Sequence, residues 1–517
     1  MNILMLGWEF PPFIAGGLGT ACYGLTKALD RLGHHVTFVL PRAVDRSQSS
    51  HVQVLSPESV SDLPPSLASA INAPPGSLTA RQIRVAQRIK QKLLDLQNIR
   101  EFTLEGFEHT TFRAVPANLR SPYGKYAGLT DTQITELIHK EREHSLIKEV
   151  EAEVDAEYTR LATILNAPEP ASLPSFPAAG TPDAPANLGP TPGFLGLGKR
   201  GGDYGGDLMG DVRRYAELCV ELTRGQRYDV IHAHDWMTFP AGIAVARLTN
   251  TPLIAHIHST EFDRSGMHVN QQVYDIERRG MHSAMRVIAV SHWTRNTVLH
   301  RYGVSPEKVR VVWNGIELEG RPGASTSGPS QITPSDKIVL FLGRITMQKG
   351  PEYFIAAARR VLEKLDNVKF VVAGSGDMAT RMIELAASYG IGHKVLFTGF
   401  LRGRDVARAF RMADCYVMPS VSEPFGIAPL EAMSHDVPTI ISKQSGVSEA
   451  LTHVLKVDFW DIDEMANKII AILRHPPLTN TLREHGKFEL RRLTWEGAAQ
   501  KCAEVYAEAR AGMRRAG

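Results

Sequence analysis

Cysteine is scarce in this chain, with four among 517 residues. Cys22, Cys219, Cys415 and Cys502 lie far apart and form no C-x-x-C pair. That excludes a zinc ribbon and a disulfide framework, and it suits a reducing compartment. Net charge is small as well. Lys and Arg number 58 against 55 Asp and Glu, a formal +3, so no overall basic field exists to hold nucleic acid or an anionic membrane. Long apolar runs are missing too. No stretch approaches the ~20 apolar residues of a membrane span, and the apolar opening Met1 to Gly7 lacks the basic leader and long apolar region of a secretion signal. The expectation is a strand of a soluble cytoplasmic protein with no integral membrane segment, whose function rests on local constellations.

Apolar material is present in quantity. Hydrophobic residues make up 43%, with 43 Gly and 31 Pro, and at ~150 residues per domain the length predicts three structural units or two large ones. Asn2 to Leu6, a loop with Gly16, Gly17 and Gly19, an amphipathic stretch ending at Gly33, and Val36 to Leu40 read as one βαβ unit. After Asp45 the pattern breaks into Pro-bearing polar sequence and charged helical stretches near Ala80 to Ile99 and Thr132 to Leu165. From Ala167 to Gly202, Pro, Gly, Ala and Ser dominate, too few large apolar groups to offset chain entropy, which predicts a disordered or loosely ordered insert. Alternation resumes near Asp211 with a helix to Arg224, then Val230 to Ala233, the helix Thr238 to Leu248, Leu253 to Ile257 and Val287 to Val290.

Glu319 to Ser335 is Gly, Pro and Ser rich and reads as a linker. Beyond it come Ile338 to Leu342, a helix from Pro351 to Leu365, Val368 to Ala373, a helix ending near Gly390, Val395 to Thr398, a helix to Met412, and Tyr416 to Met418. Short buried strands alternating with helices imply a parallel sheet covered on both faces. The expected architecture is α/β: two doubly wound, Rossmann-like domains facing across a cleft, with ligands at the carboxyl ends of the strands. The N-terminal domain takes residues 1–318 with an insert at about 45–203, the C-terminal domain residues 336–494, and an amphipathic helix residues 495–517, a candidate to cross back to the first domain.

Several constellations fall at strand exits. Ala15-Gly16-Gly17-Leu18-Gly19-Thr20 opens a helix, where bare amides can approach an anion. A nicotinamide fingerprint is disfavoured, because Cys22 stands where a third glycine is wanted and no acidic residue follows the second strand promptly. His232-Ala233-His234-Asp235-Trp236 and His256-Ile257-His258-Ser259 each end an apolar strand, with both histidines of a pair on one face. A metal cage and buried or capping histidines are both open for this set; Asp235 and His258, nearest the exits, are candidates for a cleft. Gly343 to Gly350 places Arg344 and Lys349 before a helix with Pro351 at its first position, so two cations and a helix N-terminus meet where a departing diphosphate could be held without Mg²⁺. In Ser422-Glu423-Pro424-Phe425-Gly426-Ile427-Ala428-Pro429-Leu430-Glu431, Glu431 has the first-turn position that the macrodipole favours, whereas Glu423, in the loop, has no evident structural task. Asp461-Ile462-Asp463 precedes a helix and reads as first-turn acids, with no metal chemistry assigned.

Taken together, EFPPFIAGGLGT, VIHAHDW, IHSTEFDR, VVWNGIE, FLGRITMQKG, VVAGSGDM and SEPFGIAPLEAM make the chain resemble retaining GT-B glycosyltransferases of the family-four and family-five type, with glycogen and starch synthases the nearest. The resemblance spans about Met1 to Arg42 and Tyr204 to Glu508. It implies a catalytic set of Glu423, His258, Arg344 and Lys349, the two cations on the donor diphosphate and Glu423 at the sugar hydroxyls. Glu431 would hold the ribose, and Gly426 and Ile427 would offer amides. Gly16 and Gly17 would close on the phosphates, Asp235 and His258 would line the sugar and acceptor side, and the base would lie near Gly399 and Phe400. It further implies no cofactor and no metal, ADP-glucose or UDP-glucose as donor, and a glucan or other carbohydrate acceptor. One departure stands out: bacterial glycogen synthases usually carry Lys before Thr-Gly-Gly in the first loop, and here Phe13-Ile14-Ala15 precedes Gly16-Gly17. A transferase making a small glycoside or a surface polysaccharide or lipid glycoside, and a non-catalytic sugar-nucleotide sensor, are the competing readings.

Overall fold

The computed structural model describes residues 1–10, 17–41, 54–55, 100–102, 108–114, 208–317, 335–401 and 403–516. Gly16, the helical stretches near 80–99 and 132–165, the Pro/Gly-rich 167–202 and nearly all of the linker lie outside them. The chain divides into one unit of Met1–Leu119 with Met209–Gly517 and a second of Arg120–Leu208. Both sheets belong to the first unit.

The second sheet in sequence is the more regular. Its strands β10 (Lys337–Leu342), β11 (Val368–Ala373), β12 (Val395–Gly399), β13 (Cys415–Met418), β14 (Thr439–Ser442) and β15 (Leu455–Val457) are all parallel, in the order β12-β11-β10-β13-β14-β15. The order reverses between β10 and β13, so the connections leaving these neighbours run to opposite faces and leave a crevice at their carboxyl ends. The runs VKFVVA and TIIS contain no solvent face because helices cover both sides.

The first sheet repeats the device. Strands β1 (Asn2–Leu6), β2 (His35–Leu40), β6 (Val230–His234), β7 (Leu253–Ile257), β8 (Arg286–Ala289) and β9 (Val309–Val311) are parallel, and the order β2-β1-β6-β7-β8-β9 reverses between β1 and β6. Three further strands, β3 (Val54–Leu55), β4 (Arg100–Phe102) and β5 (Thr110–Ala114), come from the interval expected to be an insert of solvated helices. They lengthen the sheet, β5 joining β2 in parallel and β3 and β4 adding antiparallel. Five residues or fewer, with charges interspersed, give too little apolar periodicity to separate them from surrounding polar sequence. What holds the entry to β5 is local: Asp30 accepts from the Glu108 and His109 amides at 2.8 and 2.6 Å and from Thr110 Oγ1 at 2.7 Å.

The last helix, Trp495–Ala516, completes the first sheet's core. Its buried residues Trp495, Ala498, Ala499, Cys502, Val505, Tyr506 and Ala509 recur every three or four positions, a single apolar stripe. The stripe lies on the helix Gly17–Arg31 (α1) and on β7 and β8. Contact is close enough that a Cβ added at Gly24 would stand 2.2 Å from the Trp495 ring. Ion pairs rim the seam, Lys27 and Arg31 with Glu317 at 2.8 and 3.0 Å and Arg31 with Glu496 at 2.7 Å. At the opposite end of the molecule's chemistry, Asp461 caps the helix Ile462–Arg474 by accepting from the Glu464 amide at 2.9 Å, which gives the D-x-D its structural task.

Candidate active site

Both order reversals present groups singled out by the sequence. After β10 the chain makes a 3₁₀ turn, Met347–Lys349, and Lys349 Nζ reaches Glu423 Oε2 at 2.5 Å. Ser420 Oγ donates to the same oxygen at 3.2 Å. The two loops are laced together by the Val421 amide on the Gln348 carbonyl at 2.9 Å. Glu423 is buried, and its backbone is held on the inner side as well: its amide donates to Gln444 O at 3.0 Å and its carbonyl accepts from the Gly446 amide at 2.8 Å. Gly426, at φ 102°, takes a backbone conformation that side chains rarely adopt and so turns the loop into the helix Ala428–Ser434. Ile427 precedes that helix, and Glu431 lies in its first turn, with burial pushing its carboxyl up to about 7.

Arg344 is exposed and donates to Gln348 Oε1 at 3.3 Å. Its charge also acts on Glu9, at the exit of β1, whose pKa is raised by burial and opposed by Arg344 and by the Gly19 amide. Glu9 belongs to the opening motif, yet its role is not visible in sequence; a carboxylate before Phe-Pro-Pro carries no spacing signal. Gly17 is the first residue of α1, with open space where a Cβ would be. Gly399 ends edge strand β12 and Phe400 follows it, with two strands, β11 and β10, between β12 and β13, and Phe400 is exposed. Lys349 and Glu423 are thus brought into contact, while Phe400 stands apart from them.

Across the β6 exit, Asp235 takes φ 58°, a strained left-handed conformation for a residue with a side chain. Its Oδ1 accepts from the His258 amide at 2.7 Å and the Ser259 amide at 3.4 Å, which joins the β6 and β7 exits. Burial nonetheless pushes its carboxyl up to about 7. Behind it the four histidines stack. His232 Nδ1 shares a hydrogen bond with Tyr506 Oη at 2.5 Å, His232 Nε2 one with His256 Nδ1 at 3.0 Å, and His234 Nδ1 one with His258 Nε2 at 2.9 Å. Burial drives His232 and His258 down to about 3 and the other two well below the ordinary imidazole range, so the stack is neutral at pH 7. His232, His234 and His256 bring nitrogens within 4.8 Å of one another. Their planes lie 17° to 31° apart at centroid separations of 4.4 to 5.2 Å, and His232 Nε2 and His256 Nδ1 are already spent on each other and His232 Nδ1 on Tyr506. This suits hydrogen-bonded neutral rings better than a tetrahedral ion cage. His258 Nδ1 has no hydrogen-bond partner among the described residues.

Known families match the chain in three successive stretches: residues 2–95 the starch synthase catalytic domain, residues 198–319 glycosyltransferase family 4, and residues 326–488 glycosyl transferases group 1. An uncharacterized glycosyltransferase of Methanocaldococcus jannaschii is 32% identical over 295 residues, which are 54% of this chain and 75% of that protein. The chain belongs to the glycosyltransferases. This glycosyltransferase is also 27% identical over 305 residues to a glycogen synthase of Mycobacterium tuberculosis, 56% of this chain and 71% of that protein. It is 24% identical over 382 residues to a D-inositol 3-phosphate glycosyltransferase of Segniliparus rotundus, 69% of this chain and 84% of that protein. Among solved structures, a sucrose-phosphate synthase from Thermosynechococcus elongatus superposes with TM-score 0.60 at 16% identity over 99% of each chain. HepE of Anabaena in complex with UDP-glucose does so with TM-score 0.55 at 15% identity, over 98% of this chain and 100% of that one. The glycosyltransferase has the GT-B fold. Among the described residues, no helix is long and apolar enough to cross a membrane.

Proposed function

We propose that this glycosyltransferase moves a glucosyl unit from ADP-glucose or UDP-glucose to the non-reducing end of an α-1,4-glucan with retention of configuration. The observation that carries the reading is the Lys349–Glu423 pair at 2.5 Å in the crevice between β10 and β13, with Arg344 on the same loop as Lys349. Transfer develops positive charge on the sugar and negative charge on the departing diphosphate. Arg344 and Lys349 meet the phosphates, Glu423 the sugar hydroxyls, and Glu431 the ribose. Gly426 and Ile427 supply amides, Phe400 flanks the base, and Gly16 and Gly17 close on the phosphates. Asp235 and His258 line the sugar and acceptor side, the His258 backbone held by Asp235 Oδ1. The bond from C1 to the diphosphate oxygen breaks, a bond from C1 to the acceptor oxygen forms on the same face, and the acceptor proton passes to the departing phosphate. The starch synthase match over residues 2–95 and the glycogen synthase relative support a glucan acceptor.

A second reading, a transferase making a small glycoside, is favoured by the D-inositol 3-phosphate glycosyltransferase relatives and by Phe13-Ile14-Ala15 where glycogen synthases usually have Lys. Incubation with a panel of sugar nucleotides, with and without glycogen and with and without an inositol phosphate, followed by product mass and linkage analysis, tests both. New α-1,4 linkages on glycogen support the first reading. Product formed on a small polyol phosphate, with glycogen left unextended, replaces it with the second.

A further inference from the structure

The residues on either side of Glu423 are gripped by loops of the other sheet. Ser422 Oγ donates to Asp263 Oδ1 at 2.7 Å. Asp263 belongs to the short helix Glu261–Ser265 after β7, and its second oxygen is fixed by the Thr260 amide at 2.8 Å and Thr260 Oγ1 at 2.7 Å. On the far side, the Pro424 carbonyl accepts from Ser291 Oγ at 2.6 Å and from Thr294 Oγ1 at 3.2 Å. Ser291 is fully buried and caps the helix His292–Tyr302 after β8. A reciprocal contact tightens this junction: Glu449 of the second sheet's half accepts from the His292 and Trp293 amides at 2.8 and 2.5 Å. Gly446, whose amide bonds the Glu423 carbonyl, leaves only 2.5 Å between a would-be Cβ and Ser291 Cβ.

We infer that Asp263, Ser291 and Thr294 are positioning residues for Glu423. Proline donates no backbone hydrogen bond, so its carbonyl is the handle by which position 424 can be held. With Ser422 and Pro424 both fixed, the loops of the other sheet share with Gln444 and Gly446 the setting of the backbone torsions that aim the Glu423 carboxylate. Lys349 and Ser420 then set only the end of the side chain. The inference rests on the sugar-side role proposed for Glu423. A carboxylate displaced by about 1 Å from its productive place costs up to ~10² in rate, and a lost hydroxyl–carbonyl bond permits part of such a displacement.

The test compares Ser422→Ala, Ser291→Gly and Thr294→Val with Thr294→Ser. Glycine is accepted at a helix N-cap nearly as well as serine, so Ser291→Gly removes the hydroxyl with little loss of capping. Each of the first three variants is expected to lower kcat about five- to tenfold with donor KM changed less than twofold, and Thr294→Ser to restore most of kcat. In a Glu423→Gln background the same three changes should have less than a twofold effect, because residues acting through one group are not additive. Losses that multiply in that background, or that appear in KM alone, overturn the inference. If Glu423→Gln lowers kcat and the three variants do not, the inference fails while the role of Glu423 stands. An unchanged kcat in Glu423→Gln removes both. Should Ser291→Gly unfold, Ser422→Ala, whose hydroxyl is only partly buried, still decides the matter.

Discussion

Replacing His232 by Asn should destabilise the protein by an amount that depends on pH. His232 is fully buried, bonded through Nδ1 to Tyr506 Oη at 2.5 Å and through Nε2 to His256 at 3.0 Å. At pH 7.5 the loss of ring packing and of one of these bonds should cost about 2–4 kcal/mol. The folded-state pKa is depressed from 6.5 to about 3, with burial the first cause and the charge of His258 the second. The stability owed to the neutral ring is therefore complete above pH 6.5 and is lost as pH falls from 6.5 towards 3, since only the unfolded chain takes up the proton. By pH 5 the unfolded imidazole lies about 1.5 pH units below its pKa, and at ~1.4 kcal/mol per unit the wild type has lost about 2 kcal/mol through this residue. Asn does not titrate, so the penalty of the substitution should shrink by about 2 kcal/mol between pH 7.5 and pH 5. Urea unfolding of both proteins at the two pH values and constant ionic strength measures it. A penalty equal at both pH values would mean that His232 is charged or solvated in the folded state, and the neutral stack would be wrong.

Glu423→Gln should cost ~10²–10³ in kcat, because a preorganised carboxylate beside developing charge is lost, while Glu431→Gln should mainly raise donor KM; steady-state kinetics with the active sugar nucleotide separates them, and unchanged kcat in both would confine the motif to nucleotide binding. Under the proposed roles of Arg344 and Lys349, EDTA should leave the rate nearly intact, and a loss of most activity restored by Mg²⁺ or Mn²⁺ would refute that assignment. Gly24→Val should destabilise by more than about 2 kcal/mol, since its first added carbon already falls 2.2 Å from the Trp495 ring; an unchanged melting temperature would show that the last helix does not dock there.

Much of the architecture was legible in the sequence because parallel strands covered on both faces are continuous apolar runs. Asn2–Leu6, Leu253–Ile257 and Val368–Ala373 stand where such runs begin and end. Leu455–Val457 is too short, and β3 to β5 too polar, to register against their surroundings. Strand-exit loops rich in polar groups could be recognised, but not how those groups pair. The contact between Lys349 and Glu423, 74 residues apart, depends on strand order, as does the meeting of Pro424 with Ser291. Glu9 and Asp263 lie inside noticeable motifs, yet their partners Arg344 and Ser422 are supplied by distant segments.

The return of Trp495–Ala516 to the first sheet has a bearing on how the polypeptide is made. The core around β1 and α1 lacks one wall until the final helix has been synthesised, although its other elements emerge from the ribosome first. While the second sheet is being translated, the apolar faces of Leu25, Ala28 and Leu29 await Trp495, Val505 and Tyr506. Domain-by-domain folding in order of synthesis is thereby replaced by a late step with very long sequence separation, which slows completion and leaves hydrophobic surface open to chaperones in the interval.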